Sequence, residues 1–129
     1  MTPRAGGDGP KALDRALGVR FRDGGLRETA LIHRSYAFEN EVEVNNERLE
    51  FLGDAVLNLV VSALLYQRFG GSDEGDLSRV RAHLVREDSL HRAALTLGLP
   101  QVMRLSEGEA RGGGALRASI LADALEALI

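Results

Sequence analysis

The apolar positions of this chain recur at three- and four-residue spacing, which predicts a succession of helices. The longest pattern runs from Glu47 to Phe69. At about 100° per residue, Leu49, Leu52, Val56, Leu59 and Ala63 fall on one side, and Glu47, Glu50 and Asp54 share a narrow stripe opposite. Past Asp54 that stripe continues through Asn58, Val61 and Leu65, so the helix becomes apolar nearly all round, as a buried central helix should. Two short helices, 11–17 and 26–33, precede it, separated by the turn Arg22-Asp-Gly-Gly25. After Gly70-Gly71, Ser72 or Asp73 caps a helix that runs to about Gly98, with Leu77, Val80 and Leu84 at core spacing and a break near Asp88-Ser89. Pro100 opens a connection, Met103 and Leu105 read as core, and Glu107 to Gly114 reads as a flexible glycine-rich loop. The last helix, 119–129, carries Leu121, Leu125 and Leu128 on one face and Asp123 and Glu126 on another.

The acids are the chemistry of this pattern. Glu50 and Asp54 lie one turn apart, and like charges at that spacing cost an isolated helix roughly 0.2 to 0.5 kcal/mol, more if partly buried. Glu47 is explained by the helix dipole alone, but Asp54 sits two turns in, beyond the dipole's reach. Ala122, Ala124 and Ala127 surround the second acidic pair and would let its helix approach another closely. Glu50, Asp54, Asp123 and Glu126 could then converge on one cation. An all-oxygen donor set of that kind suits Mg²⁺ or Mn²⁺ rather than zinc; a solvated acidic face is the competing reading.

Four blocks carry a family resemblance: Asn46-Glu-Arg-Leu-Glu-Phe-Leu-Gly-Asp54, His33-Arg-Ser-Tyr36 before it, Asp73-Glu-Gly-Asp76 after it, and Ser119-Ile-Leu-Ala-Asp-Ala-Leu-Glu-Ala127. In their order and spacing they resemble the catalytic domain of bacterial ribonuclease III, over roughly residues 11 to 129. The resemblance implies an all-α, homodimeric endonuclease bundle. It further implies cleavage of double-stranded RNA with divalent metal, giving 5′-phosphate and 3′-hydroxyl ends in the processing of rRNA and other structured precursors. By position, Glu50, Asp54, Asp123 and Glu126 match the metal-binding carboxylates, with Asp54 and Glu126 the catalytic pair. Glu47 and Glu74 match further acids of the same valley. Phe51 matches an aromatic that packs into the partner subunit, and Gly53 would keep that contact close. The chain departs from the family in having Ile32 where Thr is usual. Metal-assisted hydrolysis needs no side-chain nucleophile, which agrees with the lack of Cys and of any serine in a nucleophile motif.

Composition adds bounds. A chain of 129 residues, 44% hydrophobic, can bury one core, and without Cys it has no disulfide framework. No apolar run approaches the roughly 20 residues of a membrane span, and residues 1–10 read as a flexible tail without a signal-peptide core, so a cytoplasmic location is expected. The net charge of −3 is unusual for a nucleic-acid binder, but acids gathered at a metal site would have their local field inverted by the bound cation. His33, His83 and His91 lack metal-ligand spacing and are assigned to no metal. Arg86 reads as a salt-bridging residue, while Arg79 and Arg81 stay open between phosphate contact and salt bridging. Gly112-Gly-Gly114 reads as a linker, since no Gly-Lys-Ser or Gly-Lys-Thr follows, and no nucleotide or organic cofactor is expected. Because the pattern stops at Ile129 within a helix, the chain reads as a truncated catalytic domain without the family's double-stranded-RNA-binding domain. The alternatives are a non-catalytic RNA-binding or ribosome-associated protein of the same fold, and a metal-stabilised helical dimer unrelated to RNA.

Overall fold

A computed structural model describes residues 8–129. Eight α-helices follow one another among them: α1 (Asp8–Leu17), α2 (Gly24–Ala30), α3 (Arg34–Glu39), α4 (Glu47–Arg68), α5 (Glu74–Val85), α6 (Glu87–Thr96), α7 (Glu107–Arg111) and α8 (Ala118–Leu128). Single 3-10 turns at Leu99–Gln101 and Gly114–Leu116 complete the order, and no strand occurs among the described residues. The bundle is all-α, as the periodicity predicts.

The centre of the bundle is α8, not α4. Ile120, Leu121, Ala122, Ala124, Leu125 and Ala127 are all buried, and α8 packs against both α4 and α6. Its partners in the core are Leu90 and Ala94 of α6, Leu99 to Leu105 of the following connection, and Leu13 and Leu31 from the N-terminal helices. Met103 and Leu105 are buried there, as their pattern suggests. By contrast, α4 buries only Gly53 and Leu65. Its packed face is the stripe that begins with Glu50 and continues through Leu57 and Leu65, while Leu52 and Leu59 of the opposite apolar stripe are exposed. Of the three acids only Glu50 is half-buried, and of the predicted apolar side only Leu49 and Val56 are. Val80 and Leu84 of α5 are likewise exposed, and α5 buries none of its residues.

This uncovered surface alters one composition argument. By length and composition alone α4 is apolar enough to cross a membrane, and only 11% of its most apolar window is buried. Leaving the bundle would strip its acid-bearing face from α8, so the surface asks for a protein cover rather than a lipid one.

Five local expectations also change. Pro10, placed in a tail, lies in the first turn of α1, where its missing N–H would have no helical partner anyway. Residues 1–7, the rest of that expected tail, lie outside the described residues. The second helix starts at Gly24 because the Asp23 carboxylate accepts the Gly25 N–H at 2.9 Å. It ends at Ala30 rather than His33, since residues 31–33 turn aside into a two-residue parallel bridge: Arg104 N–H donates to Leu31 O and His33 N–H to Arg104 O, at 2.9 and 3.0 Å. His33 then caps a helix that the pattern does not resolve, α3. The break in the α5–α6 stretch falls at Arg86, and the glycine-rich stretch is ordered as α7, capped by Ser106 through the Glu109 N–H at 3.1 Å.

Candidate metal centre

The first turn of α4 is held from outside the helix. Asn46 is buried, its backbone N–H donates to Ile32 O at 2.9 Å, and its side-chain amide donates to Ala30 O at 3.1 Å. The adjacent Asn45 carboxamide oxygen accepts the Glu47 N–H at 2.9 Å. These bonds fix the point from which Glu47, Glu50 and Asp54 project.

Seven residues after Asn46, at Gly53, the helix comes closest to α8. A Cβ built on Gly53 would stand 1.7 Å from the backbone oxygen of Glu126 and 2.6 Å from its carbonyl carbon. No side chain fits. Gly53 therefore serves a contact within the chain, where a partner contact was expected, and the small alanines of α8 complete the close packing from the other side. The consequence is chemical: one carboxylate oxygen from each of Glu50, Asp123 and Glu126 lies within 4.8 Å of the others.

Asp54 stands beside this trio rather than in it. Its carboxyl group lies close enough to Glu126 to raise that group's pKa, and the Asn58 amide reaches its backbone oxygen at 2.9 Å and its carboxylate at 3.4 Å. Burial, the neighbouring Asp54 and the charges of Glu50 and Asp123 together push Glu126 up to about 8. Burial, then the charges of Glu50 and Glu87, raise Asp123 to about 6. Without a cation the cluster thus keeps a proton at neutral pH. A divalent ion would replace it, and hard oxygen donors with one deeply buried carboxylate suit such an ion well.

The other expected residues fall into two groups. Glu47 lines a cavity of about 730 Å³ together with Glu50 and Asp123. Glu74 does not join them: it stands exposed in the first turn of α5, outside both the trio and the cavity wall. Phe51 is 79% exposed on the uncovered side of α4. His33 holds the loop rather than a metal, its Nδ1 accepting from the Ser35 N–H at 3.2 Å and lying 2.7 Å from the Ser35 hydroxyl, and burial lowers its pKa. Arg86 pairs with Asp88 at 2.6 Å and Arg79 with Asp76, while Arg81 donates to the Ser62 hydroxyl at 3.0 Å. Glu87, close enough to Asp123 to raise it, escaped the sequence reading because an acid in the first turn of α6 looks like a simple dipole or ion-pair residue.

Comparison with known proteins agrees with this geometry. A family model described as "Ribonuclease-III-like" matches residues 23–129. The chain is 57% identical over 122 residues to "Ribonuclease 3" of Albidiferax ferrireducens, covering 95% of this chain and 51% of that one. It is 59% identical over 121 residues to "Ribonuclease 3" of Variovorax paradoxus, covering 94% and 51%. It thus spans about half the length of these curated relatives. A crystallised nuclease domain of ribonuclease III from Campylobacter jejuni, studied for flexibility in a region involved in dimer formation, superposes with a TM-score of 0.85 at 45% identity, covering 92% of this chain and 80% of that one. On a family match that covers most of its length, the chain belongs to the ribonuclease III family.

Proposed function

We propose that this chain is the catalytic domain of a cytoplasmic, Mg²⁺-dependent endoribonuclease that hydrolyses double-stranded RNA as a homodimer, with Mn²⁺ able to substitute. The observation that carries the reading is the meeting of Glu50, Asp123 and Glu126 across the glycine contact. When bound, divalent metal supplies an activated water and charge neutralisation at phosphorus. The chain's own part is to hold that charge in place. Glu50, Asp123 and Glu126 furnish the ligands, Asp54 stands beside Glu126 and adds to the negative charge of the site, and Glu47 extends the acidic wall along the cavity. Products with 5′-phosphate and 3′-hydroxyl ends, and substrates among rRNA and other structured precursors, follow from the family reading.

The uncovered side of α4 supports the dimer. Phe51 projects from it, and beside it opens a cavity of about 320 Å³ lined by apolar side chains including Phe21, Leu26, Leu49 and Val56. Phe51 of a second copy is of a size to enter such a cavity, and α4 and α5 supply the surrounding apolar area. The test of the activity is cleavage of a long RNA duplex in Mg²⁺ or EDTA, beside Glu126→Gln. Cutting that needs Mg²⁺ and vanishes in the variant supports the nuclease. Intact duplex bound by a folded, metal-loaded dimer would make this a binding protein of the same fold.

A further inference from the structure

The cavity that contains Glu47, Glu50 and Asp123 has a second wall, built by α3 and by the residues leading into α8. That wall carries Arg34, Phe38, Arg117 and Glu109, which leaves it one net positive charge facing the acids opposite. Arg117 is already paired with Glu109. Among the described residues Arg34 has no ion-pair partner, and it is exposed. Phe38, four residues later on α3, shares its face of the helix and is 91% exposed. A single exposed apolar side chain is unremarkable on most surfaces. One that sits a helical turn from an unpaired guanidinium, in the wall of a cavity shared with a metal-binding cluster, has a use.

We propose that this wall is a strand-positioning subsite: Arg34 takes a phosphate of the RNA strand next to the phosphodiester held at the acidic wall, and Phe38 packs against the neighbouring ribose. The inference rests on the nuclease reading. A volume of about 730 Å³ is that of a small-ligand pocket, so it admits a nucleotide or two of one strand while the rest of the duplex stays outside. The acidic wall repels phosphate until a cation is bound, whereas Arg34 attracts it directly; together they fix which phosphodiester reaches the carboxylates. The planar guanidinium suits this better than an ammonium would, because it can bond two phosphate oxygens at once. Contacts of this kind position the strand without reading its sequence, so their loss acts alike on every duplex.

The test uses the chain with labelled RNA duplexes of two unrelated sequences, followed by fluorescence anisotropy with Ca²⁺ in place of Mg²⁺ and the duplexes checked intact on gels. Arg34→Gln is expected to weaken binding about tenfold on both duplexes and to lower the slope of log affinity against log salt by about one. In Mg²⁺ it raises KM with kcat little changed, and the melting shift on adding Mg²⁺ stays as in wild type. Arg34→Lys recovers part of the affinity, and Phe38→Ala loses about threefold without altering the salt slope. Wild-type affinity and salt slope in Arg34→Gln would overturn the inference while leaving the nuclease standing. If Arg34→Gln fails to fold, an unchanged KM in Phe38→Ala overturns it instead. A wild-type chain that neither binds nor cuts duplex RNA would overturn the nuclease reading, and this inference with it.

Discussion

The two faces of α4 have similar helical periodicity and opposite fates. The face bearing Glu50, Gly53 and Leu57 is pressed against α8, although it begins with a carboxylate and has the exposed Asp54 at its edge. The face bearing Phe51, Leu52 and Leu59 is apolar and open to solvent. Hydrophobicity says that a face needs cover; it does not say whether the cover comes from the same chain. Here the close contact is decided by shape. A glycine opposite the carbonyl of Glu126 lets two backbones nearly touch, and it brings Glu50 beside Asp123 and the buried Glu126.

The most severe way to break this contrast is Gly53→Val. With the Cβ position 1.7 Å from a backbone oxygen, the neighbour cannot swing away as a flexible side chain would, and α4 must move off α8. The cost should be at the upper end for overpacking, about 3 kcal/mol or more. Thermal melting is expected to drop by ten degrees or more, and Mg²⁺ should no longer raise it. A variant melting within two degrees of wild type would show that the helices are not in contact here.

A gentler probe leaves the contact and changes its charge. Glu126 titrates near 8 instead of 4.5, and Asp123 near 6 instead of 3.8, so between these values the folded, metal-free chain holds protons that the unfolded chain has released. Stability in EDTA therefore falls as pH rises from about 4 to about 8 and is flat above that; Glu126 sets most of the fall, at most about 1.4 kcal/mol per pH unit, and Asp123, exposed and screened by water, adds less. Glu126→Gln should melt higher than wild type at pH 8 in EDTA and lose most of the slope. Saturating Mg²⁺ should reverse the trend in wild type, because metal binding competes with the protons. Denaturant melts at four pH values, with and without Mg²⁺, read all of this. A metal-free stability that rises through the window would mean that the carboxylates do not meet.

The opposite face is probed by Phe51→Asp. If a second copy covers it, burying a charge at the centre of that contact should weaken association by at least about 2 kcal/mol, some thirtyfold in Kd. Sedimentation should then show monomer at concentrations where wild type is dimeric. The Mg²⁺-induced melting shift of the monomer should persist, since the acidic cluster lies within one chain. Dimers of unchanged affinity would place the interface elsewhere.

How legible all this was depends on what kind of signal each residue leaves. Periodicity found α4 and α8 to within a residue or two, because long apolar repeats survive any tertiary setting. It also put Glu50, Asp123 and Glu126 in helices with acids aligned, and the structure gathers those three. It missed α3, whose six residues are set by the cap at His33 and by the backbone bridge to Arg104, a partner some seventy residues away. It took 107–114 for a loop because Gly112-Gly-Gly114 outweighs a cap at Ser106 in any local count. And it put α4 at the centre of the core, since apolar residues on nearly every side look the same whatever covers them, whereas the close approach that the alanines of α8 suggest is the one the structure makes.

The smallest expected effect tests the same distinction between what one chain builds and what only sequence order suggests. Glu74 follows the family pattern, yet in this chain it stands exposed on α5, outside both the trio and the cavity wall to which Glu47 belongs. Glu74→Gln should shift the Mg²⁺ midpoint of the melting curve by less than twofold, as removing a solvated charge would at ordinary salt. Glu47→Gln, which thins the acidic wall beside Glu50, should shift it severalfold. Both are read by the same titration in one afternoon's series of melts. Equal shifts in the two variants would mean that Glu74 reaches the cation, which requires α5 to bend toward α4 on metal binding or a second chain to bring its own Glu74 to this site; repeating the pair in Phe51→Asp separates those causes, because only the second disappears with the dimer.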